Sequence, residues 1–578
     1  MAQPRTQLDL PQVRPNAWDM ALVPFIFLLL TVLAYGGQQM TTPYDVGQPI
    51  NISLDPSNLP YYLLRSALRM GAALAASLLF TLVYAALAAK IKPLERVLIP
   101  VLDVLQSIPI LGFLSITVTG FIALFPGNML GVECAAIFAI FTSQAWNMTF
   151  SLYGSLTTVP NDLIEAANMF HLSAWQRFWR LELPWAVPGL VWNMMMSVSG
   201  GWFFVVASEA ITVSGQTIML PGVGSYIAVA INERNLPAIG WAILAVLAGI
   251  LVYDQLIFRP LVAWADKFKV ETMPGEQVPE SWLLTMFQRA RFFQALIVIP
   301  ARVWTFVQHL GRKKEKDIKF FRAPGPRFTL PQWFDPVWNG ILILASAAAL
   351  AKVTLFVSEE VSWAEVGNVF TYGLATTARV VVLIILASVV WVPIGVWIGF
   401  RPRLAQNLQA VAQFLAAFPA NLMFPVAVIA IHHFHLNPDI WTSPLMILGT
   451  QWYILFNVIA GASALPQDMK DAATNLGLSG LLRWKKFIMP AIFPAYLTGA
   501  ITASGGSWNA SIVAELVSWG DTKYEAVGLG SYIAKATNDG DFPRIALGIA
   551  VMCLFVMAFN RFLWRRLYVI ASERLRLD

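Results

Sequence analysis

The chain has 578 residues, of which 57% are hydrophobic and only 12% are charged, with a formal net charge of +6. Soluble domains carry about 25% charged residues, so this composition excludes an ordinary soluble protein and predicts a chain that crosses a membrane many times. The two cysteines, Cys134 and Cys553, both lie in apolar runs, which excludes a disulfide framework and a CxxC metal site.

Apolar runs long enough to cross a bilayer recur along the chain. A spanning helix needs about 20 apolar residues, and such runs predict twelve spans, near 17–36, 66–89, 97–124, 131–158, 186–212, 237–260, 333–357, 368–400, 404–432, 440–464, 491–516 and 543–564. The first run lacks an A-x-A cleavage signal and is interpreted as a retained span. The predicted fold class is an all-α polytopic membrane protein with about twelve transmembrane helices.

Positive charge predicts the orientation of these spans. The first outer loop, residues 37–60, has two acids and no Lys or Arg. By contrast, five arginines lie between 561 and 576, and twelve Lys or Arg lie in the central linker near 263–331. Cytoplasmic loops carry the excess of Lys and Arg, so we expect both termini and the linker in the cytoplasm.

The central segment 263–329 is predicted to link two membrane repeats. Within it, residues 281–309 are interpreted as one or two amphipathic helices on the inner membrane surface, broken near Pro300. The alternative is a thirteenth span over 292–307. That run carries Arg302, and its crossing would invert the charge bias of every later loop.

Residues 1–262 and 330–578 repeat each other. LPQ at 10–12 recurs at 330–332, SGGW at 199–202 becomes SGGSW at 504–508, and GVGSYIA at 222–228 becomes GLGSYIA at 528–534. Each part holds six predicted spans, an even number, so the two repeats are parallel. Repeats related by an axis along the membrane normal place a transport pathway at their interface.

Two polar loops lie 306 residues apart, after the fourth and tenth predicted spans. The first reads LIEAANMFHLSAWQRFWRLELP over 163–184, and the second reads MKDAATNLGLSGLLRWKKFIMP over 469–490. Pro160 and Pro466 precede the first helix of each unit, and Ser173 with Gln176 forms a capping box for the next short helix. If the loop occurred only once, it would be explained equally well by short helices that cover the end of the membrane bundle. Two copies with matched spacing indicate a shared function.

These loops resemble the EAA loop of ABC importer permeases, in which acid-Ala-Ala is followed by a Gly six positions and a Pro nineteen positions after the acid. The matching residues are Asp471, Ala472, Ala473, Gly477 and Pro490 in the second copy, and Glu165, Ala166, Ala167, His171 (in place of Gly) and Pro184 in the first. The flanking stretches GGWFFVVASEAI, LPGVGSYIAVA and VYDQLIFRP are similar to permeases of nitrate, taurine, alkanesulfonate and bicarbonate importers. The chain therefore resembles a fused, duplicated permease of this anion type.

This resemblance implies partners and a location. In that family the loops dock on a dimer of ATPase subunits, an extracytoplasmic binding protein delivers the solute, and the permease lies in the bacterial inner membrane. The chain has no Walker A motif and no Gly-Lys pair, so ATP and Mg would be bound by the partner, and we expect no enzyme activity and no nucleic-acid partner. The implied solute is a small anion. The alternative is a twelve-span secondary transporter of the major facilitator type, which needs no matched loops.

Small and polar residues after each loop are candidates for the solute pathway. They are Asn193, Ser199, Gly200 and Trp202 in the first half, and Ser504, Gly505, Trp508 and Asn509 in the second. Small residues also let membrane helices pack closely, and tryptophans form interfacial belts. Both explanations stay open.

Charged residues and prolines inside the spans also recur. Glu209 and Glu515 are predicted to make a structural hydrogen bond or a gate, whereas Arg69 and Arg379 either bind an anion or extend to the head groups. The last matched pair, Pro109 and Pro419, is predicted to kink spans three and nine. The HHFH run at 432–435 has no counterpart in the first half, so no metal site is predicted.

Overall fold

The computed structural model describes residues 16–44, 50–213, 216–268, 281–291, 334–463, 465–520 and 522–574. The helices of the first half are α1 (Ala17–Gln39), α2 (Leu59–Lys90), α3 (Lys92–Ser107), α4 (Ile110–Leu124), α5 (Leu130–Thr157), α6 (Asn161–Met169), α7 (Ala174–Arg177), α8 (Leu183–Glu209), α9 (Val223–Asn232), α10 (Leu236–Tyr253) and α11 (Arg259–Ala265). A short helix, α12 (Trp282–Arg289), follows in the linker.

The second half repeats this series. Its helices are α13 (Phe334–Ser358), α14 (Trp363–Gly399), α15 (Pro402–Ala417), α16 (Phe424–His433), α17 (Pro438–Trp441), α18 (Ser443–Leu448), α19 (Gln451–Ser463), α20 (Gln467–Asn475), α21 (Gly480–Arg483), α22 (Met489–Ala514), α23 (Leu529–Asp539), α24 (Phe542–Phe559) and α25 (Arg565–Arg574).

Each half also has one antiparallel β-hairpin, which the all-α prediction did not include. Strand β1 (Ala210–Val213) pairs with β2 (Gln216–Met219), and β3 (Leu516–Trp519) pairs with β4 (Thr522–Glu525). The hairpins follow the long helices α8 and α22, at the end of the bundle opposite the two polar loops.

The described helices form fewer continuous spans than the twelve predicted. Seven are long and apolar enough to cross a membrane, and two bent helix pairs raise the number to nine. Predicted span three is interrupted between α3 and α4, and span nine between α15 and α16, each at its proline. Helix α5 has 28 residues but carries Glu133, Gln144 and Asn147, and it is not among the seven.

The duplication extends to unusual backbone features. Two π-helical stretches in the first half, Phe178–Glu182 and Asp254–Phe258, recur as Trp484–Ile488 and Asn560–Trp564, each 306 residues later. The hairpins recur with the same spacing. The two halves are therefore copies of one fold, which confirms the predicted repeat.

The interrupted third spans bridge the two halves. Leu111 and Leu114 of α4 lie in a hydrophobic cluster that includes Val132 of α5 as well as many residues of the second half, and Leu422, just after the break in the second half, lies in the cluster of the first. The backbone N–H of Ile110 donates to Oδ1 of Asn509 on α22, at 2.7 Å. The third span of each half therefore packs both on its own half and on the other.

The linker helix α12 packs on the first half. Leu283 and Met286 form a small apolar cluster with Leu22 of α1, and the guanidinium of Arg289 lies over the ring of Trp18. The predicted helical segment 281–309 is thus described only over its first part, and the proposed break near Pro300 lies outside the described residues. The predicted division at residue 262 falls inside α11.

Candidate functional site

The two polar loops have the same backbone design. In the first, His171 follows α6 with φ 52°, and the N–H of Leu172 donates to the carbonyl of Ala167. In the second, Gly477 follows α20 with φ 69°, and Leu478 donates to Ala473 in the same way. A left-handed residue that ends a helix in this manner satisfies its last carbonyls. His171 thus adopts the conformation that glycine adopts in the second copy.

The acid-Ala-Ala residues divide between surface and interior. Glu165 and Asp471 are exposed, whereas Ala167 and Ala473 are the only buried residues of α6 and α20. A larger side chain at either alanine would separate the short helix from the bundle beneath it. The exposed acids are available to a partner.

Both loops present large apolar side chains to solvent. Phe170 is 79% exposed and its counterpart Leu476 is 76% exposed, each directly before the left-handed residue. Met169 and Leu481 are more than three quarters exposed on the same loops. Exposed apolar patches of this kind mark protein–protein contacts.

The two loops are anchored to the bundle by different chemistry. Beneath the first, the buried carboxylate of Glu182 accepts from Lys90 Nζ at 2.5 Å and from Arg177 Nε at 3.0 Å. Beneath the second, Ile488 replaces that acid, and Lys470 Nζ lies 5.3 Å from the centre of the Phe400 ring. The partial burial lowers the pKa of Lys470. The first loop is held by ion pairs and the second mainly by apolar packing.

Pro184 and Pro490 lie in the first turn of α8 and α22, directly after the π-helical stretches. They were predicted to end the polar units. Each instead lies inside a continuous helical span, Ala174–Glu209 or Gly480–Ala514, just after its π-helical stretch. The polar loops are therefore joined to the membrane helices without a flexible connection.

A buried ion-pair network surrounds Glu209. Its Oε1 accepts from Arg69 Nη1 at 2.7 Å and from Ser66 Oγ at 2.6 Å, and its Oε2 accepts from the Gly224 N–H at 2.6 Å. Arg69 also pairs with Glu133 at 2.5 Å and is fully buried. Because its guanidinium is engaged on both sides, Arg69 is not available to bind an anion, contrary to one of the two predicted roles.

A similar but more open network surrounds Glu515. Arg379 pairs with Glu515 at 2.9 Å and with Asp439 at 3.2 Å, and Thr376 Oγ1 and the Gly530 N–H also donate to Glu515. Asp439 is 46% exposed, whereas its counterpart Glu133 is fully buried. Of the two predicted roles, the geometry favours a structural one for both glutamates.

The repeated GxGSYIA motif is explained by these carboxylates. A Cβ at Gly222 would lie 2.3 Å from Cδ of Glu209, and a Cβ at Gly528 would lie 2.4 Å from Cδ of Glu515. Only glycine lets the start of α9 or α23 approach its acid so closely. The network thus fixes the ends of several helices to one another, on the side opposite the polar loops.

A cavity of about 370 Å³ lies between the two halves, near the hairpins. Its wall includes Val206, Ala210 and Ile211 of the first half and Ile512 and Leu516 of the second. None of the fourteen predicted pathway residues lines it. The cavity lies one to two helical turns beyond the serine- and glycine-rich segments.

The predicted pathway residues mostly pack inside the halves. Trp202 and Trp508 are each 2% exposed. Asn193 donates to Ser151 Oγ at 2.9 Å, and Oδ1 of Asn509 accepts from the backbone N–H of Ile110 at the start of α4. Ser199 donates to Met195 O within its own helix, and Ser504 is buried. Gly505 is exposed, and nothing lies within 4 Å of a Cβ built there, so close packing does not explain this glycine.

Gly200 lies where the two halves meet below the cavity. A Cβ at this position would lie 2.7 Å from the hydroxyl of Tyr453 on α19. One further turn along, the rings of Trp192 and Phe456 stack with centroids 5.0 Å apart. These cross-half contacts, which we call the floor, lie on the polar-loop side of the cavity and not in its wall. Sequence patterns did not mark Trp192 or Tyr453 as contacts between the halves.

Pro109 and Pro419 stand at full breaks rather than kinks. Pro109 precedes the first residue of α4, and Pro419 precedes a 3₁₀ turn, Ala420–Met423, that leads into α16. Asn421 and Phe424, just after the second break, line the cavity. The breaks thus bring irregular backbone to the interface between the halves.

The histidine run lies beside the second hairpin. Nδ1 of His432 lies 2.8 Å from the hydroxyl of Tyr524 on β4. Among the residues that the structure describes, no group of three or more His, Cys, Asp or Glu side chains is placed to hold a metal ion.

Comparison with known proteins gives one family match that occurs twice. The family described as "Binding-protein-dependent transport system inner membrane component" matches residues 79–258 and 391–577, more than half of the chain. This twofold match agrees with the duplicated fold. It gives no support to a secondary transporter of the major facilitator type.

Three individual relatives are each less than 30% identical to this chain. The chain is 28% identical to the nitrate import permease protein NrtB of Leptolyngbya laminosa over 32% of this chain and 63% of that protein. It is 27% identical to the bicarbonate transport system permease protein CmpB of Synechococcus elongatus over 36% of this chain and 71% of that protein. It is 23% identical to the trimethylamine N-oxide transport system permease protein TmoV of Pelagibacter ubique over 83% of this chain and 67% of that protein.

Proposed function

This chain belongs to the family of inner-membrane components of binding-protein-dependent transport systems, and on that premise we propose that it is the complete membrane-spanning pathway of an ATP-driven importer. Its two halves take the place of two permease subunits. The solute passes between them, through the cavity and past the floor formed by Trp192 and Phe456.

The observation that carries this proposal is the pair of matched loops. Both lie at one end of the bundle and both present an exposed acid beside an exposed apolar residue, Glu165 with Phe170 and Asp471 with Leu476. Each joins directly to a long membrane helix that reaches the cavity wall. A force applied to a loop is therefore transmitted to the interface between the halves.

The partners follow from this arrangement. Two ATPase subunits bind the two loops and hold ATP and Mg between them, since this chain has no phosphate-binding motif. An extracytoplasmic binding protein delivers the solute at the end with the hairpins. In this proposal the chain lies in the bacterial inner membrane, with both termini and the loops in the cytoplasm.

The named relatives transport small polar solutes of two kinds. Nitrate and bicarbonate are inorganic anions, whereas trimethylamine N-oxide is an organic molecule without net charge. The predicted small anion stays a prediction. The proposal at this level is a small polar solute.

The test measures binding of the ATPase to the loops. The chain is co-expressed with the ATPase subunit of the same transport system, and the amount of ATPase retained on the purified chain is measured. We expect Phe170→Asp or Leu476→Asp to reduce retention by roughly tenfold or more, because a charge in an apolar interface is costly.

The matched control is Val527→Asp. Val527 is 54% exposed at the opposite end of the bundle, so this variant adds the same charge away from the loops and should retain the ATPase. Full retention in both loop variants would refute the proposed docking.

A further inference from the structure

Three exposed tryptophans lie on the first half, at the end of the bundle that carries the polar loops. Trp18 is in the first turn of α1, Trp264 is in α11, and Trp282 begins the linker helix α12; they are 41%, 39% and 53% exposed. Helix α12 packs against both α1 and α11. We call this meeting point of three helices the α12 corner.

The α12 corner lies at the end of a helix that faces lipid. Helix α1 is long and apolar enough to cross a membrane, and little of it is buried inside the protein. Its Phe27, Leu28 and Leu30 side chains are more than half exposed. Tryptophans at the end of such a helix mark the boundary between hydrocarbon and head groups. The corner is therefore within reach of lipid head groups.

Two exposed cations of the corner lie over aromatic rings. Lys267 Nζ lies 4.6 Å from the centre of the Trp264 ring and 4.8 Å from that of Phe268, and the guanidinium of Arg289 lies 5.5 Å from the centre of the Trp18 ring. Neither cation forms an ion pair with an acid among the residues that the structure describes. A ring holds a cation in place and leaves N–H donors for an anion.

The charge around the corner is positive. Its described cations, Lys267, Arg289 and Arg291, outnumber its described acids, Asp19 and Asp266, and Asp19 is buried in the capping box of α1. Over residues 263–331 the sequence has twelve Lys or Arg and six Asp or Glu, an excess of six. The formal net charge of the whole chain is also +6. The rest of the chain is thus balanced, and this region supplies the attraction to an anionic surface.

The second half does not repeat the corner. At the positions 306 residues after Trp264 and Lys267, its sequence has Ile570 and Glu573. An acid in the place of Lys267 repels an anionic head group. The two halves therefore differ here, although they are copies of one fold.

We infer that the α12 corner binds an anionic phospholipid of the leaflet on the polar-loop side. Lys267 and Arg289 bind its head group, and its acyl chains contact the exposed apolar face of α1. Basic residues beside a membrane helix are the feature that recognises anionic lipids. This inference goes beyond the proposed function, because it requires neither the solute nor the ATPase.

Such a lipid would act close to the first polar loop. Phe268, which lies against Lys267, also packs on a small apolar cluster that includes Val187 and Val191 of α8. Helix α8 begins directly after that loop. Lipid bound at the corner therefore stabilises the base of the first loop, and the second loop has no equivalent support.

The test is native mass spectrometry of the purified full chain in detergent. The chain is titrated with dioleoyl phosphatidylglycerol and, separately, with dioleoyl phosphatidylcholine, and the apparent Kd of the first bound lipid is measured for each. We expect the wild type to bind phosphatidylglycerol roughly 25-fold more tightly, because each Lys or Arg at an anionic surface contributes a factor of about five. Lys267→Gln combined with Arg289→Gln should bind the two lipids equally.

Two matched variants separate a local site from general surface charge. Arg561→Gln with Arg566→Gln removes two exposed cations at the same end of the second half and should keep the preference. Lys267→Arg with Arg289→Lys keeps both charges and should keep it too. Sodium phosphate, added at the concentration of the lipid, should not displace phosphatidylglycerol.

Four results would overturn the inference: equal affinity of the wild type for both lipids, an unchanged preference in the Lys267→Gln and Arg289→Gln variant, an equal loss in the Arg561→Gln and Arg566→Gln control, or displacement of the lipid by sodium phosphate. The assay contains no ATPase. Its failure would leave the loop-docking proposal standing, and loss of loop docking would not alter its result.

Discussion

The two ion-pair networks allow one prediction in which each half is the control for the other. Glu133→Ala removes the acid that pairs with Arg65 and Arg69, whose side chains are 1% and 0% exposed. Asp439→Ala is the same kind of change at the equivalent position of the second half. There the acid is 46% exposed and Arg379 keeps Glu515 as a partner. In the first half Arg69 keeps Glu209, but the buried Arg65 loses the acid that it pairs with.

The expected magnitudes differ because burial differs. Removing one partner of a buried ion pair costs about 3–5 kcal/mol, since an uncompensated charge is left in the interior. An exposed pair contributes only about 0–1 kcal/mol. Glu133→Ala should therefore lower the unfolding temperature strongly, and Asp439→Ala should change it little.

The assay is the unfolding temperature of the purified chain in detergent, followed by loss of the monodisperse peak in size-exclusion chromatography. Glu133→Gln is a second variant that keeps the shape and some hydrogen bonds, and it should fall between Glu133→Ala and the wild type. Equal shifts for Glu133→Ala and Asp439→Ala would refute the argument that burial sets the strength of these networks.

Other predictions concern the loops and the cavity floor. Gly477→Val should uncouple ATP hydrolysis from uptake, because a β-branched residue strains the left-handed turn. His171→Gly should preserve coupling, and normal uptake in the valine variant would contradict the role of this turn. Gly200→Ala should reduce uptake, because its Cβ meets the hydroxyl of Tyr453. Adding Tyr453→Phe to that variant should restore uptake, and uptake that stays reduced in the double variant would contradict this clash as the cause. Glu182→Ala should weaken ATPase coupling through the first loop, since it leaves Lys90 and Arg177 without their acid. The number of ATP molecules hydrolysed per transported solute should rise, and an unchanged number would show that this anchor is dispensable.

Short motifs that occur twice along the chain were the features best predicted from the sequence. The two loops, their left-handed turns and the GxGSYIA copies were visible because each motif occurs twice with one spacing. Pro109 and Pro419 marked the interruptions, but a local pattern does not show that α4 packs on the second half as well as on α5. That packing depends on contacts hundreds of residues apart.

The cavity and the ion pairs were missed for a different reason. Alanine, valine and isoleucine side chains that line the cavity do not differ from lipid-facing ones in sequence. Glu133 was assigned to an apolar span, although an acid recurs 306 residues later as Asp439. That recurrence was the signal that could have paired Arg69 and Arg379 with acids rather than with a solute.

The contacts of α4 with the second half have a consequence for synthesis. The N–H of Ile110 bonds to a side chain 399 residues further along the chain, and at about 5–20 residues per second a ribosome needs roughly 20–80 s to synthesise that length. During this time the side of α4 that packs on the second half is uncovered, and Leu422 is absent from the cluster of the first half. Fusion of the two halves then supplies the second half at a high local concentration, so that each half pairs with the half made from the same messenger RNA.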